Sequence, residues 1–177
     1  MTAANTALDQ ITNSANHDAD HAQYLTFIIA DEEYGVDVLR VQEIKGWTPV
    51  TRIPNTPEFM RGVLNLRGTI VPIIDMRMRF DLGQAEYTKI TVIVVLSVNT
   101  PSGERVVGIV ADAVSDVLDV NSGDIKPTPD FGATINTEFI KGMATKGDAM
   151  VMLLDIDKLL SLDELDEIST SEPEAAE

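Results

Sequence analysis

Hydrophobic positions along the chain mostly keep a two-residue period. Residues 24–30 alternate, with Leu25, Phe27 and Ile29 on one face, as in a half-buried strand. Asp31-Glu32-Glu33 reads as a turn and residues 34–38 as the returning strand of a hairpin. Residues 39–44 stay open: Val38, Val41 and Ile44 fit one helical face, whereas the β-branched content favours a strand. Gly46-Trp47-Thr48-Pro49 breaks whatever precedes it. Asn55-Thr56-Pro57-Glu58 has the polar cap and leading proline of a helix start, with room for little more than residues 58–61 before Gly62. Residues 70–74 are a short, β-branched apolar run, which predicts a strand buried on both faces. Pro72 inside it cannot donate to a ladder, which predicts an edge strand or a bulge. Asp75 then caps a short helix over residues 76–80. Residues 90–98 predict a central strand, joined by a loop at 99–104 to a partner at 105–111. Residues 117–129 read as irregular, with Gly123, Pro127 and Pro129. A strand at 149–154 and an Asp155-capped helix at 155–160, open to continuing to Ile168, close the pattern.

The pattern repeats weakly. Phe59-Met60-Arg61-Gly62-Val63 resembles Phe139-Ile140-Lys141-Gly142-Met143, and Ile73-Ile74-Asp75-Met76 resembles Leu153-Leu154-Asp155-Ile156, both at an offset of 80. Gly35-Val36 with Val41-Gln42-Glu43-Ile44 resembles Gly108-Ile109 with Val114-Ser115-Asp116-Val117 at an offset of 73. Each copy runs hairpin, bent acidic segment, glycine turn, strand and Asp-capped helix. Copies this short favour two small β-barrels sharing a core. They diverge at one place: the first glycine turn carries Asn65-Leu66-Arg67, which backbone geometry alone does not require. That tripeptide is the candidate for function.

Composition narrows the chemistry. The 177 residues, 44% hydrophobic but only 5% aromatic, suit a core of Val, Ile, Leu and Met. There is no cysteine, hence no disulfide, thiolate metal site or cysteine nucleophile. Both histidines, His17 and His21, fall in the amino-terminal stretch, where a metal site would need helical spacing and supporting ligands that the surrounding residues do not offer. The remaining body has no imidazole for a catalytic triad or proton shuttle. No phosphate loop, dinucleotide fingerprint or nucleophile elbow is present. The net charge of −16 is uneven: residues 161–177 carry seven acids and residues 1–22 three, neither with Lys or Arg, leaving 19 acids and 13 bases between. A body lacking a basic footprint is a poor partner for nucleic acid or an anionic membrane. No apolar run approaches the length of a membrane span and no signal peptide is evident, so a soluble, intracellular protein is expected. Trp47 reads as either core or interface anchor, and the methionines as core filler.

Taken together, Glu33-Tyr34-Gly35-Val36, Val41-Gln42-Glu43-Ile44, Arg61-Gly62-Val63-Leu64-Asn65-Leu66-Arg67-Gly68, Ile70-Val71-Pro72-Ile73-Ile74-Asp75 and Val107-Gly108-Ile109-Val110 resemble the CheW-type chemotaxis coupling proteins of bacteria. The resemblance spans about residues 23–161. It implies a mainly β fold of two SH3-like five-stranded barrel subdomains with short helices over residues 23–165. These lie between an amino-terminal tail at 1–22, disordered by its composition, and an acidic tail at 166–177. It implies a non-enzymatic adaptor without cofactor or metal. Such an adaptor binds the regulatory domain of the CheA histidine kinase and the cytoplasmic tips of chemoreceptors, and is recruited to membrane-associated arrays. No phosphotransfer, ATPase or receiver segment accompanies the match, so a stand-alone coupling protein is expected. By the resemblance, Arg67 and Glu43 stand at partner surfaces, with Val41, Ile44, Gly62 and Asn65 as neighbours; an internal Arg67–Glu43 pair is the structural alternative. An adaptor of another chemosensory pathway, such as surface motility, shares these features, and a small hydrolytic or ligand-binding barrel is the reading of a different class.

Overall fold

The computed structural model describes residues 21–83, 86–101, 103–128 and 139–160. The ten strands and two short helices are β1 (His21–Ile29), β2 (Glu32–Asp37), β3 (Val41–Gly46), β4 (Met60–Leu66), β5 (Thr69–Asp75), α1 (Met76–Arg79), β6 (Val92–Thr100), β7 (Gly103–Ala111), β8 (Ala113–Asn121), β9 (Ile140–Lys146), β10 (Ala149–Leu154) and α2 (Ile156–Leu160). Two five-stranded sheets form, in the orders β8-β1-β2-β10-β9 and β3-β6-β7-β5-β4. Short bridges link the segments after β8 and β3 to β9 and β4, Lys126 to Met143 and Thr51 to Val63, and so roll each sheet into a barrel.

The internal repeat is realised with an exchange. Adding five to each strand number of the second barrel, and counting on from β10 to β1, gives the order of the first. Yet each barrel takes its leading hairpin from one copy (β1–β2 or β6–β7) and its other three strands from the other copy. Equivalent positions do equivalent work. Asp75 N–H donates to the Phe59 carbonyl (2.8 Å) and Asp155 N–H to that of Phe139 (2.7 Å). Gly35 lies opposite Leu153, and Gly108 opposite Ile73, where a β-carbon would meet those side chains inside a narrow barrel. Both β4 and β9 bulge at the basic residue before a glycine, Arg61 and Lys141.

Strict alternation divides the core in three. In β6, Ile93 and Val95 point into the second barrel, whereas Val94, Leu96 and Val98 join a central cluster with Leu25, Phe27 and Ile29 of β1 and with both helices. Tyr24, Val120, Ala144, Val151 and Leu153 fill the first barrel. Burial on both faces is why residues 92–98 carry almost no polar side chain. Across the barrels, Arg40 makes a bidentate ion pair with Asp157 at the start of α2 (2.8 and 3.2 Å), and Asp157 also accepts from the Asn99 amide (2.9 Å).

Several sequence expectations need correction. Residues 55–59 form turns rather than the start of a helix: Met60 N–H donates to the Pro57 carbonyl (3.0 Å), and Met60 already begins β4. Pro72 lies in an inner strand. Its partner across β4, Val63, turns both backbone groups toward Thr51, so the pair needs no hydrogen bond, and the parallel ladder to β7 starts only at Ile73. Residues 39–44 resolve into a one-turn 3-10 segment, Val38–Arg40, followed by β3. Residues 117–121 belong to β8, whose alternation is masked by a bulge at Ser115–Asp116 that the Thr26 hydroxyl fills by bonding both ways to Asp116 (3.0 Å each). Asp75 caps α1 as expected, accepting from Arg77 and Met78 N–H (3.0 and 3.4 Å). β1 already includes His21 and Ala22, with His21 3.4 Å from Asp119. The amino-terminal tail before residue 21, with His17, and the acidic segment 161–177 lie outside the described residues. Among the described residues no helix is long and apolar enough to cross a membrane.

Candidate partner-binding site

β4 and β5 are joined by a two-residue turn, because Leu66 pairs directly with Thr69. Both turn residues have left-handed backbones, Arg67 at φ 53° and Gly68 at φ 90°. Such turns match the right-handed twist of a hairpin and ordinarily recruit Asn, Asp or Gly. The Asn65 side chain supports this one by accepting from the Gly68 N–H (2.8 Å). At the offset of 80, Arg67 corresponds to Gly147, which also has a positive φ (61°) in the β9–β10 turn. The second copy thus has glycine at this positive-φ position, and the first copy holds an arginine there.

The Arg67 side chain is 83% exposed and reaches Glu43 on β3, with Nη1 3.4 Å from Oε2 and Nη2 3.5 Å from Oε1. These are long contacts at a surface, worth at most about 1 kcal/mol. Ile70, 53% exposed, pairs with Asn65 and puts an apolar side chain on the surface of the same hairpin. The turn therefore presents a fork of five donors, an adjacent carboxylate and an apolar surface.

Of the residues singled out by sequence, the structure brings Arg67, Glu43 and Asn65 together and separates the others. Val41 is half-buried against the central cluster and Ile44 lies within it. Gly62 sits at the β4 bulge (φ 146°), where a β-carbon would collide with the Thr51 carbonyl oxygen. Sequence reasoning missed Ile70, taking residues 70–74 as buried throughout. Its repeat mate Met150 is exposed as well. Trp47 is packing: its ring lies 4.0 Å from that of Tyr87 and borders the core of the second barrel. Tyr87 in turn donates to Asp75 (2.6 Å). Burial above all, then that hydrogen bond and the Asp75 charge, push its phenol above the ordinary tyrosine range, against the opposing pull of Arg61.

Relatives of this chain agree with the architecture. The family model described as CheW-like domain matches residues 23–164. A chemotaxis protein CheW of Klebsiella aerogenes is 50% identical over 143 residues, 81% of this chain and 84% of that protein. A chemotaxis protein CheW of Rhizobium meliloti is 38% identical over 155 residues, 87% of this chain and 97% of that one. The crystal structure of the scaffolding protein TtCheW from Thermoanaerobacter tengcongensis matches with a TM-score of 0.72 at 31% identity, covering 85% of this chain and 94% of that one. The two exchanged five-stranded barrels and these likenesses lead to one conclusion: the chain belongs to the CheW-like domain family.

Proposed function

We propose that this protein is a non-enzymatic adaptor that couples chemoreceptors to the CheA histidine kinase, and that the Arg67 turn is one of its partner surfaces. Membership of the CheW-like family and 50% identity to a named chemotaxis protein support the coupling role. One observation carries the site: Arg67 keeps a positive φ at the position where its repeat mate is glycine. A non-glycine residue in that region costs on the order of 1–2 kcal/mol, and a long pair with Glu43 on the surface does not recover it. A side chain held against its backbone preference points to what the side chain does elsewhere. Its fork suits a carboxylate or the carbonyls of a helix end on the partner, and Ile70 supplies a dry flank. An adaptor must engage two partners at once. Purified protein mixed with a CheA regulatory domain and a receptor cytoplasmic fragment should form a ternary complex by size-exclusion chromatography. Formation of only one binary complex, or of neither, would contradict the coupling role.

A further inference from the structure

Away from the Arg67 turn, the second barrel carries a cleft of about 360 Å3 lined by Arg52, Glu58, Arg61, Met78, Asp81 and Gly83. Glu58 and Asp81 share it, yet among the described residues neither Arg52 nor Arg61 has a carboxylate oxygen within ion-pair distance. The Arg61 guanidinium meets the Met78 sulfur (3.5 Å) and the Tyr87 ring (5.7 Å from its centroid). Nearby arginines are engaged differently: Arg77 faces Asp112 at 3.8 Å, and Arg79 lies over the rings of Phe59 and Phe139. Two guanidiniums therefore hold donor capacity that a carboxylate would take up.

The same chain carries a ligand of that chemistry. Residues 161–177 follow directly on α2 and hold seven acids with no Lys or Arg. Fully extended, these 17 residues reach roughly 55 Å, far beyond the radius of gyration of about 14 Å expected for a body of this size. Reach does not restrict where they settle, so charge does. The body between the two tails has 19 acids against 13 bases and repels the segment on average. We propose that the acidic carboxyl-terminal segment docks in the Arg52–Arg61 cleft of its own chain. Covalent attachment holds it at an effective concentration on the order of millimolar, so even a weak contact is populated. The charges are exposed, so the contact weakens as the screening length falls from about 8 Å at physiological salt to about 3 Å at 1 M.

The chain has no cysteine, so Ser171→Cys in the full chain gives one attachment point for a nitroxide. The expected result is paramagnetic broadening of the amide signals of Arg52, Arg61 and Gly83. It should be lost at about 1 M salt and in the same labelled chain carrying Arg52→Glu. Arg52 is exposed, so that change leaves the fold intact. Absence of broadening at the cleft overturns the proposal, and so does broadening centred on Lys126 and Lys141 of the first barrel. Mixing nitroxide-labelled protein with isotope-labelled, nitroxide-free protein tests the source: broadening that persists in the mixture assigns the contact to a second copy and overturns the intramolecular contact.

Discussion

Arg67 is held at φ 53° by a hairpin whose counterpart uses Gly147, so its side chain and its backbone pull in different directions. Gly62 shows the opposite case, where backbone geometry leaves no choice. Gly62→Ala would drive a β-carbon into the Thr51 carbonyl at φ 146° and should cost at least about 2 kcal/mol. Gly68→Ala, at φ 90° with open space around it, should cost about 1 kcal/mol. Urea midpoints of the two variants at equal slope measure the difference; equal losses would contradict the collision. Tyr87 makes stability depend on alkaline pH. Its phenol stays protonated in the fold above the ordinary range, raised first by burial and then by Asp75. Its contribution is complete below the unfolded pKa of about 10 and is lost as pH rises from there through the folded value. Tyr87→Phe should therefore flatten the fall of melting temperature between about pH 9 and 12; an unchanged slope would place the alkaline sensitivity elsewhere.

Among the elements, those with one clean period were legible. The Leu25-Phe27-Ile29 face, the two-sided apolar run of β6, the Asp75 and Asp155 caps and β10 all follow from alternation and capping chemistry alone. The misread elements have local irregularities whose partners are distant in sequence. β8 looked irregular because Ser115–Asp116 bulge opposite Thr26 of β1. Pro72 looked like an edge marker because nothing local says that Val63 bonds to Thr51 instead. The proposed site was legible at Arg67 and Asn65, which one hairpin holds, and at Glu43 of β3, which meets Arg67. Ile44 and Gly62 share motifs with these residues, and the motif alone does not separate residues that build the turn from residues that face outward. The Arg40–Asp157 pair was invisible in sequence, since it joins the β2–β3 connection to α2 across the two barrels. Both side chains are about two-thirds buried. Arg40→Ala leaves Asp157 with only the Asn99 amide and the exposed rim, and should cost about 1.5–3 kcal/mol. A chain of this length should then melt several degrees lower; an unchanged melting temperature would mean that the pair adds nothing to the contact between the barrels.

At the scale of the molecule, the exchange of hairpins means that neither sequence copy can close a barrel alone, and the central cluster draws on both sheets. The two barrels should therefore unfold together, with calorimetric and van't Hoff enthalpies equal; two resolved transitions would contradict this shared core. The same architecture lets the proposed partner role of the Arg67 turn be tested apart from stability, since Arg67 and Gly68 enter no core cluster. Arg67→Gly gives the first copy the residue that the second already uses, and tests the account most directly. The variant's stability should lie within about 1 kcal/mol of wild type or above it, because backbone strain is relieved and only a surface pair is lost. Its affinity for the CheA regulatory domain or the receptor fragment should fall by about 2–5 kcal/mol if the guanidinium is desolvated against that partner. A variant that melts lower yet binds both partners as tightly as wild type would make Arg67 part of the fold and move the partner site elsewhere.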